Sequence, residues 1–258
     1  MIQQETRLKV ADNTGGGTGI GKELAKSFAD LNYKVIISGR RVGKINEVMK
    51  YKPDCIKPIQ LDVTKPNKCK NTVSSIIKNF GDIDVIILNA AAYSPGSLDK
   101  LEPLKIKSII ETNILGPINC LAPVLEKMKK NKKGHLVFMS SPAGYRGLPG
   151  AGIYGVTKSA LTFFAETLKI ELDSFKIKVQ VIHPGFVKTP MTDKNTFEMP
   201  FMISAKSATE LIMKNIFLNK FEIFFPKRLI LPMKIMSMLP DKIYFYLMKK
   251  LVKKKLNG

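Results

Sequence analysis

Thr14-Gly15-Gly16-Gly17-Thr18-Gly19-Ile20-Gly21 is the stretch from which the fold can be read. A strand-like segment at residues 8–13 precedes it. After it, Ile20, Leu24, Phe28 and Leu31 recur at spacings of four, four and three, which is one buried face of a helix. The common GxGxxG pattern fails in every register, but Gly15, Gly19 and Gly21 fit the related spacing GxxxGxG. Such a turn lets backbone N–H groups and a helix N-terminus approach a pyrophosphate. A ligand-free strand-to-helix connection would use the same residues, so the turn needs company.

Outward from the turn, short apolar runs at 35–38, 56–61, 85–88, 136–139, 179–182 and 223–225 bring the strand candidates to seven. Helical stretches at 42–50, 66–79, 102–130, 152–173 and 205–218 lie between them and supply the crossovers that parallel strands require. The pattern predicts an α/β chain: a single doubly wound Rossmann-type domain with a seven-stranded parallel sheet. With 258 residues, 45% of them hydrophobic, one domain is the default. Residues 1–225 form the expected catalytic unit, and 226–258 a basic C-terminal helical extension.

The net charge of +21 invites nucleic acid or an anionic membrane as partner. Only five of the 42 basic residues are arginine, whose fork reads phosphates and base edges, and no groove-reading motif is visible. A specific nucleic-acid partner is therefore not expected. Cys55, Cys69 and Cys120 form no CxxC pair, and Met1 to Lys9 has no apolar core of leader length, so the expected setting is the reducing cytoplasm. Two histidines and no cysteine cluster offer no ordinary metal site.

At the end of the second strand, an NAD site would carry Asp or Glu for the ribose hydroxyl. This chain has Ser38-Gly39-Arg40-Arg41 instead. Arginine there can pair with a 2′-phosphate, which favours NADP(H), with Arg40 the first choice. The other reading leaves Arg40 and Arg41 as solvated residues at a helix start.

Further on, His135 to Tyr145 leads through Ser141 to Tyr154-Gly-Val-Thr-Lys158. Tyr154 and Lys158, four apart, share a helix face, so the ammonium is expected to lower the phenol's pKa. TGxxxGxG, then an asparagine, then a serine thirteen residues before YxxxK resembles the short-chain dehydrogenase/reductase family over residues 8 to 192.

The resemblance implies an oxidoreductase moving hydride between NADP(H) and a ketone or secondary alcohol, with Asn113, Ser141, Tyr154 and Lys158 as the catalytic set. Ser141 would polarise the substrate carbonyl, Tyr154 would protonate its oxygen, Lys158 would also hold the nicotinamide ribose, and Asn113 would support a proton relay. Cofactor contacts would come from Gly15, Thr18, Gly19, Ile20, Gly21, Arg40 and Arg41. Asp62 would lie near the adenine, Asn89 and Ala90 at a strand end, and Pro184, Gly185, Val187 and Thr189 at the carboxamide end. His183 reads as a loop residue.

Two features depart from the family's pattern. Asp12 and Asn13 close the first strand where apolar residues are normal, and Ala91 replaces a glycine. They motivate the alternative of a non-catalytic NADP-binding regulator or structural relative. The glycine-turn amides, an altered strand end or loss of cofactor binding are the possible answers to a buried Asp12.

From Pro226 onward the chain carries nine Lys or Arg against one acid, Asp241. The apolar run 229–239 is broken by Pro232 and Lys234 and is too short to span a bilayer, which needs about 20 apolar residues. Pro240 starts a final helix with Ile243, Leu247 and Leu251 beside Lys249, Lys250 and Lys253–Lys255. Residues 240–258 fit either peripheral contact with an anionic membrane or a lid or oligomer contact with a lysine tail. Phe197, Met199, Phe201 and Met202 follow Thr189 and suit an apolar substrate, a long-chain 3-oxo lipid or acyl ketone above a steroid, sugar or xenobiotic carbonyl. The expected assembly is a homodimer or homotetramer.

Overall fold

Alternating β-branched and aliphatic runs with amphipathic helices build the order seen in the computed structural model, which describes residues 8–94 and 101–256, with side chains as far as Leu251. Its elements are β1 (Val10–Thr14), α1 (Gly19–Asp30), β2 (Lys34–Gly39), α2 (Val42–Met49), β3 (Ile56–Gln60), α3 (Pro66–Phe80) and β4 (Ile83–Leu88). Then come α4 (Pro103–Ile110), a π-helical turn (Glu111–Leu115), α5 (Gly116–Asn131), β5 (Gly134–Met139), α6 (Gly152–Glu171) and β6 (Ile177–Pro184). The chain continues with β7 (Val187–Lys188), β8 (Ile203–Ser204), α7 (Ala205–Ile216), β9 (Glu222–Phe225), α8 (Lys227–Ser237) and α9 (Asp241–Leu256).

Seven strands pair in the order β3-β2-β1-β4-β5-β6-β9, all parallel, and β7 and β8 form a separate short ladder. The order reverses between β1 and β4, the switch point at which doubly wound sheets open a crevice beyond their strand ends. Alternate strand residues feed two cores. Val10, Ile36, Ile86 and Phe138 face α3, α5 and α6, whereas Ala11, Ile37, Ile87 and Ile182 face α1, α2 and α7. The helical run Pro103–Asn131 is long and apolar enough to cross a membrane, yet it buries Cys120, Leu121, Val124 and Met128 against the sheet.

One local expectation, for His183, is corrected and two are sharpened. The stretch 102–130 is two helices joined by the π-turn rather than one. His183 is not a loop residue: it lies inside β6 with a fully covered ring, because β9 extends the sheet on that side. The run 229–239 folds largely as α8 despite Pro232, which sits on the exposed side where water can satisfy a freed carbonyl.

Asn13 and Asp12, one and two residues before Thr14 at the end of β1, are buried along with it. Asn13 donates from Nδ2 to the Gly21 carbonyl at 2.7 Å, tying the strand to the first turn of α1. Asp12, flanked by Ile36 and Ile86, leaves Oδ1 without a partner. Burial pushes its carboxyl up to about 7, against a smaller pull from the Asn13 amide. No amide of the glycine turn reaches Asp12; below about pH 7 the side chain is accommodated as a neutral acid.

Candidate active site

The glycine turn sits where β1 meets β4. Gly15 takes φ +72°, a left-handed conformation that a side chain would strain, and a Cβ there would meet the Ala90 Cα at 2.9 Å. The Gly15 and Gly16 amides both donate to the Ser38 carbonyl. Thr14 braces the other side: its Oγ1 accepts from the Asn89 and Ala90 amides, and Asn89 Nδ2 donates to the Thr14 and Gly15 carbonyls. These bonds lock the turn to the end of β4 and leave Gly17, Thr18 and Gly19 at the wall of a cleft of about 1190 Å³. That volume lies at the upper end of small-molecule sites, enough for a large ligand with a second one beside it.

At one end, Arg40, Arg41 and Lys44 line the cleft, and Arg41 donates to Thr18 Oγ1 at 3.3 Å. Burial works to raise the Asp62 carboxyl. The Thr64 amide and hydroxyl, with the charges of Arg40 and Lys65, outweigh it and hold the carboxyl below the usual range. A left-handed glycine turn that no side chain could occupy, beside cations and an ionised carboxylate, fits the phosphates and adenosine of a dinucleotide.

At the other end, β5 delivers Met139, Ser140 and Ser141, and α6 delivers Tyr154 and Lys158. Ser141 caps the short turn Pro142–Gly144 by accepting from the Ala143 amide. A Cβ on Gly144 would lie 2.7 Å from the Lys158 backbone, so the glycine is what lets the serine-bearing turn press onto α6. Lys158 is buried and donates from Nζ to the Met139 carbonyl at 2.6 Å, and burial lowers its pKa to about 8. Its Nζ lies 5.5 Å from the centre of the Tyr154 ring. Burial pushes the Tyr154 phenol up to about 12, a hydrogen bond with Ser141 pulls it back, and Tyr93, packed edge-on at 4.9 Å, adds to the rise. The lowering of Tyr154 by Lys158 expected from their spacing is not found, because desolvation dominates and the ammonium is turned to Met139.

Gly15, Thr18, Gly19, Ile20, Arg40, Arg41, Asp62, Asn89, Ala90, Ser141, Tyr154, Lys158, Pro184, Gly185, Val187 and Thr189 all line this cleft. Gly21 and Asn113 do not. Gly21 packs against Gly15 and Asn89, where a Cβ would approach to 2.6 Å. Asn113 is buried in the π-turn. Its Oδ1 accepts from the Ala92 amide, and its Nδ2 donates to the Ala92 carbonyl and to Thr157 Oγ1, so it holds the segment after β4 against α6.

Sequence reasoning did not find Lys44, Tyr93, Leu148, Leu229 and Met233, which also face the cleft. Leu229 and Met233 come from α8, which the proline break had hidden. A polar seam fastens α8 and α9 to the turn after Ser141. Tyr145 donates to Glu222, Lys234 pairs with Glu222, and His183 Nδ1 lies 2.9 Å from the same carboxylate. Burial opposes ionisation of Glu222, but its three partners hold the carboxyl down at about 2. Arg146 stacks 4.0 Å over the Tyr244 ring, caps the Ser237 and Leu239 carbonyls and pairs with Asp241, while the Tyr244 hydroxyl donates to the Gly147 carbonyl.

A family model described as short chain dehydrogenase matches residues 9–199. An uncharacterized oxidoreductase of Myxococcus xanthus is 32% identical over 93% of this chain and 96% of its own. Carbonyl reductase family member 4 of Xenopus tropicalis is 30% identical over 71% of this chain and 78% of its own. Among solved structures, ElxO with NADP bound superposes with a TM-score of 0.76 at 27% identity, covering 84% of this chain and 97% of that one. The matched residues include the glycine turn, Ser141, Tyr154 and Lys158, and the chain belongs to the short-chain dehydrogenase family of oxidoreductases.

Proposed function

We propose that this oxidoreductase reduces the carbonyl of an apolar, lipid-like ketone with NADPH, using Ser141, Tyr154 and Lys158. The observation that carries the reading is the convergence of those three side chains on one wall of a cleft whose far end is lined by Arg40, Arg41 and Lys44. When bound, the dinucleotide supplies the hydride. Arg40 and Arg41 would hold a 2′-phosphate that an acid in their place would repel, and the NADP-bound ElxO relative supports that preference.

A phenol held near 12 keeps its proton throughout the neutral range, so Tyr154 has a proton to give to the substrate oxygen. Ser141 would donate to the same oxygen and stabilise its developing charge. Lys158, cationic below about pH 8 and anchored on Met139, would set the field around the phenol and hold the ribose. Tyr93, Leu148, Phe186, Phe197, Leu229 and Met233 make the substrate end chiefly apolar, which supports a long-chain acyl ketone over a sugar.

Turnover of NADPH against ketones of rising chain length tests cofactor, activity and substrate class together. Tyr154→Phe should lower kcat by on the order of 10²–10⁴-fold while NADPH binding stays near wild type. Full turnover in that variant would refute the mechanism. NADPH binding without turnover of any ketone would favour a non-catalytic regulator.

A further inference from the structure

We propose that the outer face of α8 and α9 docks on an anionic lipid surface, which brings the apolar end of the cleft to the bilayer. The outward side of α8 carries Leu231, Ile235 and Met238 at spacings of four and three, the last two 64% and 85% exposed. The next helix adds Tyr246 opposite the buried Tyr244, with Ile243 and Phe245 on its two flanks, each about half exposed or more. Neither helix turns these residues inward, because the inner sides are already filled by Ile230, Tyr244 and Met248, all buried.

Around this apolar surface stand the exposed cations Lys227, Arg228, Lys242, Lys249 and Lys250. The side chains of Lys253–Lys255 lie outside the described residues, although the sequence continues the charge. The acid in the segment, Asp241, is paired with Arg146. Apolar side chains at headgroup depth flanked by lysines whose stems can lie along them are what an anionic interface takes up. Two copies of this chain meeting through the same face would set these five exposed cations against the same five, so like charge disfavours self-association there.

The second observation is what lies under this face. Leu229 and Met233, on the opposite side of α8, line the substrate end of the cleft, so one helix separates the exterior apolar surface from the site. A bilayer-held ketone would then reach the cleft beside α8 without crossing water. This route rests on the reading of an apolar carbonyl substrate, whereas the docking itself does not.

Flotation of the full chain with vesicles of phosphatidylcholine alone and of phosphatidylcholine mixed with phosphatidylglycerol tests the proposal. The protein should float with the mixed vesicles at low salt and be released as salt is raised. Ile235→Glu, Met238→Glu and Phe245→Glu together should lower partition by on the order of tenfold or more while turnover of a water-soluble ketone stays at the wild-type level. Lys249→Gln with Lys250→Gln, which leaves the apolar residues in place, should weaken partition roughly fivefold per lysine. Equal flotation of wild type and both variants, or none with the mixed vesicles, would overturn docking. A change in oligomeric state in the glutamate variant instead would assign the face to a second copy. No turnover of any ketone with flotation intact would count against the carbonyl-reductase reading alone.

Discussion

Asp12→Val should make the protein more stable than wild type at neutral and alkaline pH, by a margin that grows between about pH 4 and pH 7. The carboxyl sits in β1 between Ile36 and Ile86 with one oxygen unpartnered, and burial raises it from 3.8 to about 7. Between those two values the folded chain binds one more proton than the unfolded chain, so stability falls as pH rises and is fully lowered above the folded value. Three units at about 1.4 kcal/mol each amount to roughly 4 kcal/mol. That is a large share of the roughly 5–15 kcal/mol by which domains are stable. The titratable groups that feel this charge most are the thiols of Cys69 and Cys120, which are themselves buried. Valine at this position faces the apolar neighbours a central parallel strand normally has. Denaturant midpoints measured across this pH range for both proteins provide the assay. His135, lowered by burial to about 4, and His183, lowered likewise, act in the opposite sense in both proteins, so the readout is the difference between the two midpoints; a difference that does not grow from pH 4 to pH 7 would refute the assignment.

Four further outcomes are expected. The kcat/KM for reduction should hold at low and neutral pH and fall as pH rises through about 8, because Lys158 loses its charge there while Tyr154 keeps its proton to about 12; a profile flat well beyond that pH would count against the role of Lys158. Arg40→Glu should raise the KM for NADPH at least tenfold, more than that for NADH, since a charged hydrogen bond contributes about 1.5–3 kcal/mol; equal kcat/KM for both cofactors in wild type would remove the case for Arg40. Gly144→Ala should cost about 1–3 kcal/mol and lower kcat, because the added methyl meets the Lys158 backbone at 2.7 Å and lifts the Ser141 turn; thermal melting and kinetics read both. Arg146→Ala should loosen α8 and α9, seen as faster proteolysis C-terminal to β9, since one guanidinium caps two carbonyls, holds Asp241 and stacks on Tyr244.

Most of the frame was legible because it is written in local periodicity. All seven sheet strands follow short apolar runs, and the helices between them follow spacings of three and four, so alternation alone implied a parallel sheet. The ordered motif from Gly15 to Lys158 pointed to residues that share a cleft, apart from Gly21 and Asn113, which brace it from behind. What stayed hidden depends on partners distant in sequence. Pro232 and Lys234 masked α8, whose helix is stabilised through Glu222 and Arg146, partners 12 and 91 residues away in sequence. His183 read as a loop residue because its cover comes from β9, a strand some forty residues later.

The order of strands and helices, the glycine turn, the spacing of Ser141, Tyr154 and Lys158 and the basic character of the tail were determined by the sequence itself, since each depends on neighbours within a few turns. Tertiary structure alone decided the protonation of these groups. The Tyr154 phenol rises rather than falls, Lys158 turns to Met139, Asp12 stays near neutrality, and Asn113 serves as a brace behind the cleft. The reason is physical: desolvation and hydrogen-bond partners act through space, and a linear spacing such as YxxxK states who is near but not how much water is left between them.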